Sequence, residues 1–362
     1  MTILLSIIVF IIILALLVLV HEWGHFRAAR KFGIRVDEFG FGFPPKIWGK
    51  KYGETEYSVN WIPLGGFVKI FGESREGAGE PDSFASKPIW QRMIVIVAGV
   101  FMNWVLAVVL LTIGFWYGLP QQITDENLAE ARDVSVVITQ VFGDSPAKEA
   151  GFEAGDSIKK LIIDGQEFQI LESLDVQEVV GSYSGKEITA QIKRGSELMD
   201  IKVTPTIATE EEKSMIGVGL TKVGIVSSKW YQAPVDGVKA TAAYTALFIN
   251  GFYDILKNLV TTGNAGADIA GPIGIGQMTY QFTQLGFSYL IQFAAILSIN
   301  LAIINLLPIP ALDGGRFVFL LIEVIKKSPV SEKVEMGFQT AGVMLLILLM
   351  IWVTIKDVIR LL

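Results

Sequence analysis

Hydrophobic positions fall into four long blocks separated by segments of mixed polarity. The blocks are Ile3–Val20, Met93–Trp116, Tyr289–Leu307 and Phe338–Ile355. Each is close to the ~20 apolar residues a membrane-crossing helix needs, so the pattern predicts four spans. Ser6 is the one polar residue in the first block. That block has no basic residues before it and no small-residue cleavage site before His21, so it reads as a retained span rather than a signal peptide.

Between the blocks the periodicity changes. Val36–Phe43, Thr55–Trp61 and Gly65–Ile70 interleave glycines with aromatic and branched residues, the pattern of short strands joined by turns. Two readings stay open for this segment: an ordinary hairpin, or a sheet dipping into the membrane where protein or a cavity covers it. Residues 121–225 are charged, strand-rich and punctuated by turns. Strands are expected at Val134–Val141, Ser157–Ile163, Glu167–Ile170, Ile188–Lys193 and Asp200–Val203, with helices after Ser145 and over Leu174–Val180. Asp164-Gly165 is a two-residue hairpin signal, and Ser145 is a helix N-cap with Gly151 as the stop. The order fits a small α+β domain. Within 226–285, Tyr244, Leu247, Phe248, Gly251, Phe252, Ile255, Leu256 and Leu259 follow helical spacing, while Asp254, Lys257 and Asn258 interrupt it. An amphipathic interfacial helix followed by a linker is expected there.

Composition sharpens the class. The chain of 362 residues is 51% hydrophobic and 18% charged, and its mean hydropathy is +0.49. Together with the blocks, this predicts a polytopic α-helical membrane protein. The net charge of −6 and the absence of a basic stripe argue against a nucleic-acid partner. There is no cysteine, which excludes disulfides, thiolate metal sites and cysteine nucleophiles. Arg27, Arg30, Lys31 and Arg35 follow the first span, Lys87 and Arg92 precede the second, and Arg316, Lys326 and Lys327 lie between the last two. By the positive-inside rule these loops are cytoplasmic, and both termini and 121–285 lie outside.

Only two histidines occur, both in His21-Glu22-Trp23-Gly24-His25. This is HExxH, in which two imidazoles share a helix face to bind zinc and the glutamate serves as a base. Ionisable groups at a membrane span are costly and mark function. A catalytic zinc takes a third protein ligand, and with no third histidine it has to be a distant carboxylate. The third span ends in Asn305-Leu306-Leu307-Pro308-Ile309-Pro310-Ala311-Leu312-Asp313-Gly314-Gly315. Spans one and three run in the same direction, so their C-terminal ends share a side, which selects Asp313. Prolines 308 and 310 stop the helix, and Gly314-Gly315 are expected to lend freedom to bend the aspartate inward.

The HExxH segment, Gly65-Gly66-Phe67-Val68-Lys69 and Asn305–Gly315 together resemble the site-2 protease family of intramembrane zinc metalloproteases (peptidase family M50), in its bacterial RseP/RasP branch. The likeness extends over essentially the whole chain. It implies one extracytoplasmic PDZ domain at roughly 125–220, on Gly143-Asp144-Ser145-Pro146-Ala147, Ala150-Gly151 and Ala154-Gly155-Asp156. Trp23 and Val100 depart from the family's usual residues, which bears on substrate fit. The expected organisation is 1–120 with HExxH, the cytoplasmic membrane-associated β loop and the second span; 121–225 PDZ; 226–285 interfacial helix and linker; 286–362 with the LDG motif and the last span.

The expected activity is hydrolysis of peptide bonds within transmembrane segments of single-span proteins in the bilayer, such as anti-sigma factors or remnant signal peptides. His21, His25 and Asp313 hold one Zn²⁺, and Glu22 is the base. Asn305 either holds substrate backbone or the developing oxyanion, or makes a helix–helix hydrogen bond. Gly65, Gly66, Phe67 and Val68 hold an extended substrate by strand addition. The rival class is a catalytically silent PDZ-bearing scaffold, against which the intact His21, Glu22, His25 and Asp313 stand. A metal transporter lacks polar residues along spans two and four. A serine–histidine protease has no spare histidine, and Gly274-Ile275-Gly276-Gln277 is not the GxGD of aspartyl types.

Overall fold

The computed structural model describes residues 2–75, 77–124, 127–195, 197–207, 214–263 and 271–361. In chain order come α1 (Thr2–Lys31), β1 (Val36–Tyr52), β2 (Thr55–Ile70), α2 (Ile89–Tyr117), β3 (Leu119–Gln122) and β4 (Ala131–Val141). Then follow α3 (Pro146–Ala150), β5 (Ser157–Ile163), β6 (Gln166–Gln169), α4 (Ser173–Ser182), β7 (Ile188–Arg194), β8 (Glu197–Val203), β9 (Thr206–Ile207), β10 (Ser214–Met215) and β11 (Val218–Val226). Helices α5 (Ala233–Thr262), α6 (Pro272–Leu285), α7 (Phe287–Leu306), α8 (Asp313–Lys326) and α9 (Glu332–Leu361) complete it. The chain forms two compact units, one of Met1–Thr112, Pro234–Tyr280 and Ile291–Leu362, the other of Ile113–Ala233 and Gln281–Leu290.

Among the described residues, the helices Leu4–Lys31, Ile89–Tyr117, Phe287–Leu306 and Glu332–Ile359 are long and apolar enough to cross a membrane. The first does not end at Val20. It continues unbroken through HExxH to Lys31, because nothing from His21 to Lys31 interrupts backbone hydrogen bonding. Gly33, at φ +64°, stops it, with the Ile34 N–H returning to the Ala29 carbonyl at 2.9 Å. The metal motif is therefore mid-helix, where its geometry is fixed from both sides.

In the first unit β1 and β2 are long, sharply bent strands. Residues 38–41 of β1 pair with 56–59 along one side and with 66–69 along the other, while 46–52 pair with 55–60. The two strands thus make four strand segments in the order 66–70, 36–43, 55–62, 46–52, with Gly66–Ile70 at an edge. The sheet is seated on α1, Phe39 meeting Phe26 edge to face at 5.5 Å. Ala29, Ile34, Val36, Ile70, Phe84, Val95, Ile96 and Leu320 form a buried cluster joining α1, the base of the sheet, α2 and α8. Helix α8 fills what the sequence pattern left as a loop. Its amphipathic pattern is too short to register as a span.

Helix α5 covers the expected amphipathic stretch and runs antiparallel beside α2. Trp104 Nε1 donates to Thr245 Oγ1 at 3.0 Å, and further along Gly237 sits against Thr112 and the Val108 carbonyl. Of the expected linker, residues 264–270 lie outside the described residues. Its remainder includes α6, whose N-terminal Gly271 and Gly274 N–H groups donate to the buried Asp357 carboxylate of α9 at 3.2 and 2.8 Å.

The second unit is an antiparallel sheet in the order β3-β11-β4-β5-β7-β8, with β6 paired to β5. Its core is Val136, Ile138, Ile158, Leu161, Ile163, Val176, Val180, Ile188, Ile192 and Ile201. Local chemistry agrees with the sequence reading. Asp164 and Gly165 both take positive φ between β5 and β6, and Ser145 caps α3 by accepting the Lys148 N–H at 3.3 Å.

Candidate metal centre

The site is built from α1, α2 and the turn between α7 and α8. On α1 the two histidines fall one helical turn apart, with Nε2 atoms 3.2 Å from each other. Asp313 opens α8, and its Oδ2 lies 3.1 Å from His21 Nε2 and 3.3 Å from His25 Nε2. Both histidines are buried. Tetrahedral zinc with bonds of about 2.0–2.1 Å sets its ligand atoms about 3.3 Å apart, so this triangle has the dimensions of one face of such a site.

The protonation pattern agrees. His25 Nδ1 is 2.8 Å from the Val95 carbonyl, which can only accept, so Nδ1 carries the proton and Nε2 a lone pair. That lone pair faces another imidazole nitrogen and a carboxylate oxygen, an arrangement a cation between them satisfies. Burial pushes the Asp313 carboxyl up. The two imidazoles beside it outweigh this and hold it below the usual carboxylate range. That favours the anionic form of Asp313, the form in which a carboxylate binds a cation.

Helix α2 forms the floor of the site, a contribution the sequence reading did not assign. Gly24 lets α1 approach so closely that a Cβ there would overlap the Ala98 carbonyl, and a Cβ on Gly99 would overlap both imidazoles. Asn103 is fully buried, with its amide 3.4 Å from His21 Nδ1 and its Oδ1 without a hydrogen-bond partner. Turning the amide over supplies Oδ1 to the His21 Nδ1–H, and both needs are met. The available signal was an asparagine on an apolar span, one turn beyond a glycine. Trp23, 45% exposed, stands away from the cluster.

Gly314 and Gly315 act differently from the expectation. Both are in the first turn of α8 without positive φ. Their role is space: a Cβ on Gly314 would overlap the Leu306 and Leu307 carbonyls, and one on Gly315 the Ile309 carbonyl. Absence of side chains lets α8 fold back on the end of α7, which carries Asp313 to the histidines.

Asn305 reaches the cluster, its Nδ2 3.5 Å from His21 Nε2. Glu22 is within electrostatic reach of His21, His25, Asp313 and Glu73. The edge segment of the sheet passes it, since a Cβ on Gly66 would stand 3.4 Å from Glu22 Cγ and 3.1 Å from Val18 Cγ1. Phe67 packs against Gly40, and Phe43 against Gly65. Val68 joins the partly buried residues around the cluster that holds Ala29 and Val95.

The comparisons identify this geometry. The model of peptidase family M50 matches residues 9–349. The chain belongs to peptidase family M50. A Clostridium perfringens protein carrying the name of a zinc metalloprotease is 38% identical over 344 residues, covering 95% of each chain. The regulator of sigma-W protease RasP of Bacillus subtilis is 32% identical over 446 residues, covering 98% of this chain and 99% of its own. A PDZ domain from a Listeria monocytogenes SdrC-like protein matches 24% of this chain and 86% of its own at 23% identity, with a TM-score of 0.21. As an M50 peptidase the protein is a site-2-type zinc metalloendopeptidase of the bacterial cytoplasmic membrane.

Proposed function

We propose that His21, His25 and Asp313 hold a single zinc ion and that Glu22 is the general base for hydrolysis of a peptide bond in a substrate's transmembrane segment. The convergence of two Nε2 atoms and one carboxylate oxygen within 3.3 Å carries this reading. Bound there, zinc supplies Lewis acidity that lowers the pKa of water and polarises a carbonyl. Glu22 takes the proton of the attacking water and returns it to the leaving amine. Asn305, whose amide lies 3.5 Å from His21 Nε2, donates that amide to the carbonyl oxygen as negative charge develops.

A helical substrate has its peptide groups locked in hydrogen bonds, so it has to be extended before attack. Gly65, Gly66, Phe67 and Val68 belong to a strand with a free edge beside Glu22, which supports capture of the unwound segment as an added strand. Substrates are single-span membrane proteins such as anti-sigma factors, a reading compatible with the regulator of sigma-W name of the Bacillus relative, and remnant signal peptides have the same form.

The basic residues of the β-loop and of the connection between the last two spans set the active site towards the cytoplasm, with both termini and the second unit outside. That second unit is a PDZ domain that excludes substrates with bulky ectodomains. Its deletion should release cleavage of untrimmed substrates; loss of cleavage of trimmed ones would instead mean recruitment. The central test is cleavage of a single-span substrate by purified protein in detergent beside Glu22→Gln, with zinc measured in both. Cutting by the parent alone with zinc in both supports the reading; zinc-free, inactive parent protein would return the scaffold alternative.

A further inference from the structure

Helix α9 carries no residue of the metal cluster, yet one of its faces meets the segments that lead to it. Glu335, Gln339 and Gly342 lie at i, i+4 and i+7, on one side of the helix. Glu335 pairs with Arg75 Nη2 at 3.2 Å, in the loop whose Glu73 pairs with Arg316 of α8. Gln339 Oε1 accepts the Ala311 backbone N–H at 2.7 Å. A Cβ on Gly342 would overlap Cβ, C and O of Pro310, so this turn rests directly on the helix backbone. Phe338 adds an edge-to-face contact with Phe319 of α8 at 5.1 Å.

Ala311 is the residue that needs holding. It adopts φ +72°, the left-handed region that an L side chain with a Cβ rarely enters. It stands two residues before Asp313, so its conformation sets the direction in which α8 departs. One long local hydrogen bond, Leu312 N–H to Ile309 O at 3.3 Å, closes a turn around Pro310 and Ala311. Pro308 and Pro310 have no N–H to give, and the Ile309 N–H goes to Leu307 O at 2.7 Å. The Ala311 N–H takes its partner from a helix 28 residues further on.

We infer that Gln339 and Gly342 of α9 form a strap that holds Ala311 in its left-handed conformation and so aims the Asp313 carboxylate at His21 and His25. They are positioning residues, acting on the metal centre through Asp313. The inference rests on the reading that these three residues hold zinc. Helix α9 is then part of the metal centre's support, and motion of this helix is felt at the third ligand.

The test uses the full chain in detergent with three proteins: parent, Gln339→Met, which keeps length and removes the acceptor, and Gln339→Met combined with Ala311→Gly. Glycine enters the left-handed region freely and does not need the strap. Two quantities are read: zinc affinity by competition with a chelator, and hydrogen exchange of the 309–316 segment after metal removal. The expected result is roughly tenfold weaker zinc binding in Gln339→Met, the scale of lost support around a metal ligand, faster exchange in that segment, and recovery of most of the affinity in the double variant. Parent-like affinity in Gln339→Met, or equal loss in single and double variants, overturns the strap. A parent that holds no zinc overturns the metal reading instead. The exchange data then decide the strap alone, and unchanged exchange in Gln339→Met overturns it.

Discussion

The His25 imidazole gives its Nδ1–H to the carbonyl of Val95, 2.8 Å away on α2, and so presents Nε2 to Asp313. A carbonyl buried in a second helix thus selects the tautomer that can ligate. The same helix presses Gly99 against both imidazoles, so the ligand pair is held against a backbone floor rather than by side chains alone.

Gly99→Ala should therefore be damaging out of proportion to its size. The added methyl has no flexible neighbour to displace, because it lands on the His21 and His25 rings, which Val95 and Asn103 hold in place. Zinc affinity is expected to fall by about ten- to a hundredfold, as when groups supporting a ligand are disturbed. Metal titration beside a melting curve checks this; parent-like zinc binding would refute the floor.

Asn103 gives a chemical version of the same test. Asn103→Leu removes the acceptor for the His21 Nδ1–H and should weaken zinc about tenfold. Asn103→Asp keeps an acceptor in place and should retain more metal. If leucine and aspartate variants bind zinc equally, the amide is packing only.

Arg92 and Glu323 form a doubly hydrogen-bonded pair, at 2.5 and 3.1 Å, with side chains only 12% and 13% exposed. It joins α2, three residues before Val95, to α8, which begins with Asp313. Removing one partner leaves a buried charge and should cost about 3–5 kcal/mol, whereas Arg92→Met with Glu323→Leu should recover much of it. A double-mutant cycle on unfolding in detergent reads the coupling directly.

Gly66→Pro tests strand addition. Proline cannot donate to an incoming strand, and its ring would crowd Val18 and Glu22. Cleavage should fall much further than zinc content. Equal losses would mean that this segment only supports the site.

Much of this protein was legible in its sequence because the signals were local. Four apolar blocks marked the helices able to cross a membrane, since their length is set by bilayer thickness. Asp164-Gly165 and Ser145 formed the turn and cap expected because those conformations depend on a few adjacent atoms. HExxH put His21 and His25 on one helix face, since helical spacing alone brings their Nε2 atoms together, 3.2 Å apart. Asp313 followed from the shared direction of two helices and the lack of any other histidine.

The rest depended on which backbones touch. Nothing in the string says that Gly314 and Gly315 serve close packing rather than flexibility, or that β1 pairs along both of its sides and leaves Gly66–Ile70 as the edge beside Glu22. Val95, Gly99 and Asn103 read as ordinary members of an apolar span until α1 is laid against them. Gln339 and Ala311 find each other only in the folded chain. Sequence determined which groups could do chemistry, because side-chain identity and helical period are local properties. Tertiary structure decided which carbonyls, amides and bare glycine surfaces orient those groups, because such contacts join distant segments by steric fit and carry no periodic trace along the chain.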